Sequence, residues 1–149
     1  MAEHPVALID LYPTLVDLCN LKGDTRKNEQ GAKLDGFSMK PLLINPQTND
    51  WQGPKTALTM VYAGPHTKMD PDLQHWTTRS KDWRYIRYNN GKEELYNHLE
   101  DPNEWTNLAS NPEYKSTLDK MRSELIEQAN LDFSKVIPPV RKKWAPITQ

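Results

Sequence analysis

The stretch from Trp83 to Ala109, WRYIRYNNGKEELYNHLEDPNEWTNLA, leaves a chain of this kind few folds to choose from. Trp83, Arg84, Tyr85, Ile86, Arg87 and Tyr88 mix aromatic and β-branched residues with long polar ones, the composition of a strand. Alternation puts Trp83, Tyr85 and Arg87 on one face and Arg84, Ile86 and Tyr88 on the other. Asn90-Gly91 supplies two residues that accept positive φ, as a tight hairpin turn requires. Glu93, Glu94, Leu95 and Tyr96 then read as the returning strand. Asp101-Pro102 turns the chain out of the sheet, because proline fixes its own φ and disfavours a helical residue before it.

Two more strands precede this hairpin, ALTMVY at about 57–62 and the segment at 75–80. Short connections make neighbouring strands antiparallel, so the strands at about 57–62, 75–80, 83–89 and 93–97 form a meander. After the sheet, Asn111-Pro112-Glu113 starts a helix, with an N-cap, a proline in the first turn and an acid at the positive end of the macrodipole. Tyr114, Leu118, Met121 and Leu125 recur at helical spacing, so one stripe packs on a sheet face, and the helix runs to about Asn130. Near the start, Leu8, Leu11, Tyr12, Leu15, Val16, Leu18 and Cys19 mark one buried face of a helix at about 10–20, with Asp10 as N-cap and Pro13 in the first turn. Cys19 on that face is expected to be a buried, inert thiol. A loop follows from Asn20 to Leu34. A short helix near 38–44 has Ser38 as a capping candidate and Pro41 in its first turn, and Trp51 is expected to fold back onto the body of the chain.

The fold class is therefore α+β: a four-stranded antiparallel sheet packed by a long carboxy-terminal helix, with an amino-terminal helix, loop and short helix. The whole of 1–149 is expected to be one domain, as its length suggests, with a helical and loop region at 1–54, the sheet and helix at 55–130 and a tail at 131–149.

Nineteen basic residues against twenty acidic ones give a net charge of −1. No overall field favours nucleic acid or an anionic membrane, and Arg141-Lys142-Lys143 is the one basic run, read as part of a solvated tail. The single cysteine excludes an intrachain disulfide and a cysteine-based zinc site. No segment approaches the roughly 20 apolar residues of a membrane helix. The opening MAEHPVALID is too short and too poor in basic residues for a signal peptide.

WRYIRY followed by EELYNHLEDPNEWTNLA resembles the carboxy-terminal signature of the type I sulfatases, in the alkaline-phosphatase-like superfamily. The bacterial iduronate-2-sulfatase-like enzymes are nearest in pattern. One position departs, since Asn97 stands where the family usually has Asp, which bears on a local turn or ion pair. VALIDLYPTLVDLCNL and LDGFSMKPLL resemble two further family elements that follow the large catalytic domain. In whole sulfatases, as the resemblance implies, a formylglycine made from the cysteine of a Cys-x-Pro-x-Arg motif works beside a calcium or similar ion on the amino-terminal domain. A dianion-like transition state needs such concentrated positive charge.

Cys19 is followed by Asn20-Leu21-Lys22, which cannot serve as that motif, and no His/Asp cluster has metal-ligand spacing. The expectation is a carboxy-terminal portion of a sulfuric ester hydrolase acting on sulfated carbohydrate when complete, with no cofactor of its own and inactive alone. The family is often exported, so a periplasmic or secreted whole protein is implied. The alternative is a non-catalytic glycan-binding or assembly module derived from a sulfatase. The helix at 10–20 and the sheet face that would meet a catalytic domain should leave apolar surface uncovered, so a homo-oligomer is expected of the chain by itself.

The stretch from Gln74 to Arg79 resembles the family's His-x-x-x-Arg strand entry, which implies a place toward the active-site opening. Three residues are thereby candidates for substrate binding. His75 can hydrogen-bond a sugar hydroxyl or sulfate oxygen. Arg79 can pair with a carboxylate, or else form a cross-strand ion pair with Glu93 or Glu94. Trp76 can stack on a sugar ring or pack in the core. The acids Glu93, Glu94, Asp101 and Glu104 read as a solvated edge and an Asp-Pro turn rather than as an acid–base pair, and Asn107 as a backbone ligand near the NLA turn.

Overall fold

A computed structural model of the chain describes residues 3–21 and 34–137, so the loop at 22–33 and the end of the tail with its basic run lie outside the described residues. In chain order the elements are helix α1 (Leu11–Leu18), short helix α2 (Lys40–Ile44), strands β1 (Ala57–Val61), β2 (His75–Arg79), β3 (Trp83–Arg87) and β4 (Glu93–Asn97), and helix α3 (Lys115–Ala129). The four strands make one antiparallel sheet in the order β1-β2-β3-β4. The expected meander is the observed one, and each strand is within a residue or two of its expected bounds.

Register follows from the turns. Lys81-Asp82 is a two-residue connection that sets Arg79 opposite Arg84 and Thr78 opposite Tyr85. The β3–β4 turn differs from expectation. Only Gly91 takes a positive φ, +82°, and Asn90 does not. The Tyr88 N–H reaches the Lys92 carbonyl at 2.9 Å and the Gly91 N–H the Tyr88 carbonyl at 3.0 Å. This is a three-residue loop with one left-handed glycine, the commonest alternative to the two-residue turn.

Alternation then gives the sheet two unlike faces. Tyr85 and Leu95 lie fully buried under α3 and meet Leu118, Met121 and Leu125, with Trp76, Trp83 and Tyr114 packed at the margin. The helix begins as read: the Asn111 side chain accepts the Glu113 N–H at 3.0 Å, and the helix ends at Asn130 in the left-handed region with φ 51°. Arg87, also on this face, is buried; it donates to the carbonyls of Tyr88, Phe133 and Lys135 and stacks over the Phe133 ring. Those contacts, with Ile137 N–H donating to the Asn89 carbonyl at 2.8 Å, strap the described start of the tail across the end of the sheet. Asn107 bonds backbone as expected: it accepts from the N–H groups of Leu95 and Ala109 and donates to the Glu93 carbonyl, completing the outer edge of β4.

A set of hydrogen bonds ties the amino-terminal region together. Asp10 does not cap α1 with its side chain; its carboxylate accepts from Ala7 N–H at 2.7 Å and from Phe37 N–H at 2.8 Å, pinning the loop that leads to α2. Gly36 is needed there, since a Cβ would lie 2.1 Å from the Ile9 carbonyl oxygen. Thr14, buried, accepts the Met39 N–H at 2.8 Å. The apolar face of α1 is left open: Leu8, Leu11, Tyr12, Leu15 and Leu18 are all exposed. Cys19 is exposed too, which corrects the expectation of a buried thiol, because the face it shares has nothing over it within the described residues. Trp51 does fold back, its ring edge-on to His4 and Phe37.

Candidate functional site

The face of the sheet turned away from α3 carries Thr59 and Val61 of β1, His75, Thr77 and Arg79 of β2, Arg84 and Ile86 of β3 with Tyr88 beyond its end, and Glu94 and Tyr96 of β4. Two of the three candidate residues, His75 and Arg79, lie here. Four residues apart on a strand, they are separated by about 13 Å and form no single contact group. Trp76 points the other way. It packs against the core, donates its indole N–H to the Pro71 carbonyl at 2.8 Å, and lines a cleft of about 700 Å³ with Phe37, Leu58 and Gln128.

His75 is set by the loop that precedes it. Gln74 is almost fully buried and ties that loop together, accepting from Ala63 N–H and donating to Thr67 Oγ1 and the Asp70 carbonyl. The loop so fixed lays His66 against Asn89, with 3.5 Å between His66 Nε2 and Asn89 Nδ2. The Asn89 backbone N–H donates to His75 Nδ1 at 3.1 Å, and the Tyr88 ring stands edge-on to the imidazole. A backbone N–H can only donate, so Nδ1 is the acceptor and the neutral ring carries its proton on Nε2, a donor that no described residue takes up. Burial, and then the neighbouring His66, hold the imidazole below its usual range. Beside it Glu94 accepts from the hydroxyls of Tyr88 at 3.2 Å and Tyr96 at 3.0 Å. Burial and Glu94 push the Tyr96 hydroxyl up to about 12.

Arg79 stands at the opposite end of the strand. The expected cross-strand pair with Glu93 or Glu94 is absent, and the register explains why. Arg79 lies opposite Arg84, while Glu93 is opposite Arg87 on the α3 face. There Glu93 pairs with Arg122 of α3 through two bonds of 2.7 Å and accepts the Tyr85 hydroxyl at 2.5 Å. Burial alone would push the Glu93 carboxyl up; the Arg122 guanidinium and the Tyr85 hydroxyl outweigh it and hold it below its usual value. Glu104 binds Arg84 at 2.9 Å and His98 at 2.6 Å. The acids are therefore four separately partnered groups rather than a solvated edge. Asp101 accepts Thr106 N–H at the Asp-Pro turn. Asn97, the departure from the family pattern, accepts Leu99 N–H at 3.1 Å and so keeps a local turn.

Reading the sequence did not single out His66 or Arg122. Nothing in local spacing brings His66 to Asn89, and Arg122 declares itself only once the helix stripe is laid across β4. The Arg79–Arg84 pairing was within reach, because a two-residue connection at Lys81-Asp82 dictates it. Among the described residues no three or more His, Cys, Asp or Glu side chains are grouped to hold a metal. Cys19, followed by Asn20-Leu21-Lys22, does not fit the motif from which the formylglycine of sulfatases is made. Among the described residues no helix is long and apolar enough to cross a membrane.

Comparison with known proteins agrees with this architecture. The profile of the family described as "N-sulphoglucosamine sulphohydrolase, C-terminal" matches residues 2–131. A sulfatase of Formosa agariphila is 32% identical over 124 residues, covering 83% of this chain and 20% of its own length. Arylsulfatase K of Danio rerio is 26% identical over 134 residues, covering 87% of this chain and 24% of the relative. The chain thus spans about a fifth to a quarter of the length of these relatives. Among solved structures, BT4656 in complex with its substrate D-glucosamine-2-N,6-O-disulfate superposes with a TM-score of 0.60 at 25% identity, over 81% of this chain and 24% of that one. BT1596, a 2-O GAG sulfatase, gives 0.62 at 26% identity, over 87% and 27%. The uncovered α1 face, the polar open face of the sheet and the profile match converge: the chain belongs to the carboxy-terminal domain family of the N-sulphoglucosamine sulphohydrolase type, within the type I sulfatases.

Proposed function

We propose that this chain is the carboxy-terminal subdomain of a sulfuric ester hydrolase that acts on a sulfated carbohydrate, and that it does not turn over by itself. The profile match across 2–131 carries the reading. The physical support is the unfinished surface. Five large apolar side chains of the α1 region stand open to water, together with Leu43 and Ile44 of α2. A patch of this kind marks a surface that another polypeptide covers. The catalytic portion that the sulfatase resemblance implies is the natural cover, since this chain spans only 20% and 24% of its relatives, and copies of the chain alone self-associate through the same patch.

In this reading the open face of the sheet forms one wall of the substrate pocket. His75 offers its Nε2–H to a sugar hydroxyl or sulfate oxygen, in a ring oriented by Asn89 and Tyr88. Arg79 offers a guanidinium on the same face, and Trp76 supports the wall from behind. The formylglycine and metal belong to the catalytic portion, and no step of the hydrolysis is assigned to residues of this chain.

A chimera tests the proposal: this chain replaces the matching carboxy-terminal segment of the Formosa agariphila sulfatase. The expected result is turnover on that enzyme's own substrate, with His75→Ala raising KM more than it lowers kcat. A folded chimera without turnover, beside an active parent enzyme, would count against it.

A further inference from the structure

Arg79 and Arg84 face each other directly across the β2–β3 ladder, beside the Lys81-Asp82 turn. Like charges at opposed positions of an antiparallel pair repel, so a pair of this kind needs a compensating anion. Glu104 meets only part of the need. Its carboxylate is shared between Arg84 Nη1 and His98 Nε2, and it makes no bond to Arg79. Arg79 Nη1 and Arg84 Nε are both shielded from water and have no acceptor. Charged N–H groups in that condition are costly to leave unmatched. Burial first, and then Arg84, hold the Arg79 guanidinium below its usual value, with Glu104 and Asp82 opposing. The Arg84 side chain is 38% exposed, so the pair is reachable from the open face.

We propose that Arg79 and Arg84 form an oxyanion-binding site at this end of the sheet, in which the two opposed guanidiniums grip a carboxylate or sulfate group that approaches from the open face. Planar forks of this type match an oxyanion with two or more oxygens and favour bidentate contact. The site deepens the reading of Arg79 as a ligand-facing residue and rests on that reading for the source of the anion. One source is an acidic side chain of the covering catalytic portion. The other is a sulfate group of the substrate. Arg122 serves as an internal contrast, because its guanidinium is already matched by Glu93 and Asp119.

The test is a titration of the full chain with sodium sulfate and, separately, sodium glutarate, with chloride keeping ionic strength constant, read by NMR at the arginine Nε–H groups. Saturable shifts are expected at Arg79 and Arg84 and none at Arg122. Arg79→Gln should weaken binding at least fivefold, and Arg79→Lys, which keeps the charge but loses the fork, should weaken it less. Saturation by sulfate alone assigns the site to substrate; saturation by glutarate assigns it to a side-chain carboxylate. Saturation by neither, or equal shifts with chloride, overturns the inference. A null titration beside an active chimera would remove this site and leave the sulfatase reading standing; saturation beside an inactive chimera would do the reverse.

Discussion

Replacing Arg122 with methionine strips Glu93 of its cation and leaves a carboxylate against the Tyr85 hydroxyl in a site largely closed to water. The two side chains are 30% and 23% exposed, and two charge-assisted bonds of 2.7 Å are lost at once. Removing one partner of a fully buried pair costs about 3–5 kcal/mol, and an exposed pair is worth about 0–1 kcal/mol. Partial exposure places Arg122→Met between them, at about 2–3 kcal/mol, or a fall in Tm of roughly 6–10 °C. The pH dependence is the sharper signature. In the native chain the Glu93 carboxyl lies below its usual value. Its stabilisation is therefore complete above the unfolded value of about 4.3 and is lost as pH falls through the lower folded value. In Arg122→Met the carboxyl keeps its burial without the cation, so its folded value rises and acid relieves the penalty. The stability gap between the two chains should narrow from pH 7 to pH 4. Urea unfolding followed by tryptophan fluorescence measures it, with Trp83 against Tyr114 as a core reporter. A double change with Glu93→Gln should recover much of the loss. A gap below about 0.5 kcal/mol, the range of ordinary surface changes, or one equal at both pH values, would refute the reasoning.

Asn107→Ala should cost about 1 kcal/mol, chiefly by leaving the partly buried Leu95 N–H unpaired, with faster hydrogen exchange at the Leu95 and Ala109 amides; unchanged exchange would mean that water replaces the side chain at no cost. Leu15→Ser, on the open face of α1, should move stability by less than about 0.5 kcal/mol while reducing self-association in sedimentation, and undiminished association would place the contact elsewhere. The His75 imidazole should titrate by NMR below the ordinary value of about 6.5, and His66→Ala should raise its midpoint. Because the fold depresses the value, the stability His75 contributes is present above pH 6.5 and declines as pH falls through the folded midpoint. A midpoint at or above the ordinary value would contradict the burial and the Asn89 bond that define its orientation.

The elements that were legible are those whose signal is local. Two-residue and three-residue connections force β2, β3 and β4 into antiparallel order, while β1 joins them through the longer segment 62–74, and the Tyr114, Leu118, Met121, Leu125 stripe with its Asn111 cap forces α3 onto the sheet. Asn107 was legible because an Asn at a turn commonly accepts a backbone N–H two residues on, as it does from Ala109. What local signals do not carry is which face is covered and by what. The α1 periodicity marks an apolar face correctly, but periodicity is silent on whether the covering surface belongs to the same chain, and so Cys19 was misplaced. The ion pair expected for Arg79 failed for a different reason. A cross-strand pair suggested Glu93 or Glu94, whereas β3 stands between β2 and β4, alternation sends Glu93 to Arg122 on the other face, and Glu94 is taken by two tyrosine hydroxyls. Register, not composition, chose the partners.

The most direct test of the central claim is hydrolysis of an aryl sulfate by this chain purified alone, with and without added calcium. The account predicts no turnover above the uncatalysed rate in either condition. Turnover that survives repurification and disappears in His75→Ala would contradict it, since a complete catalytic site would then reside in the residues described here.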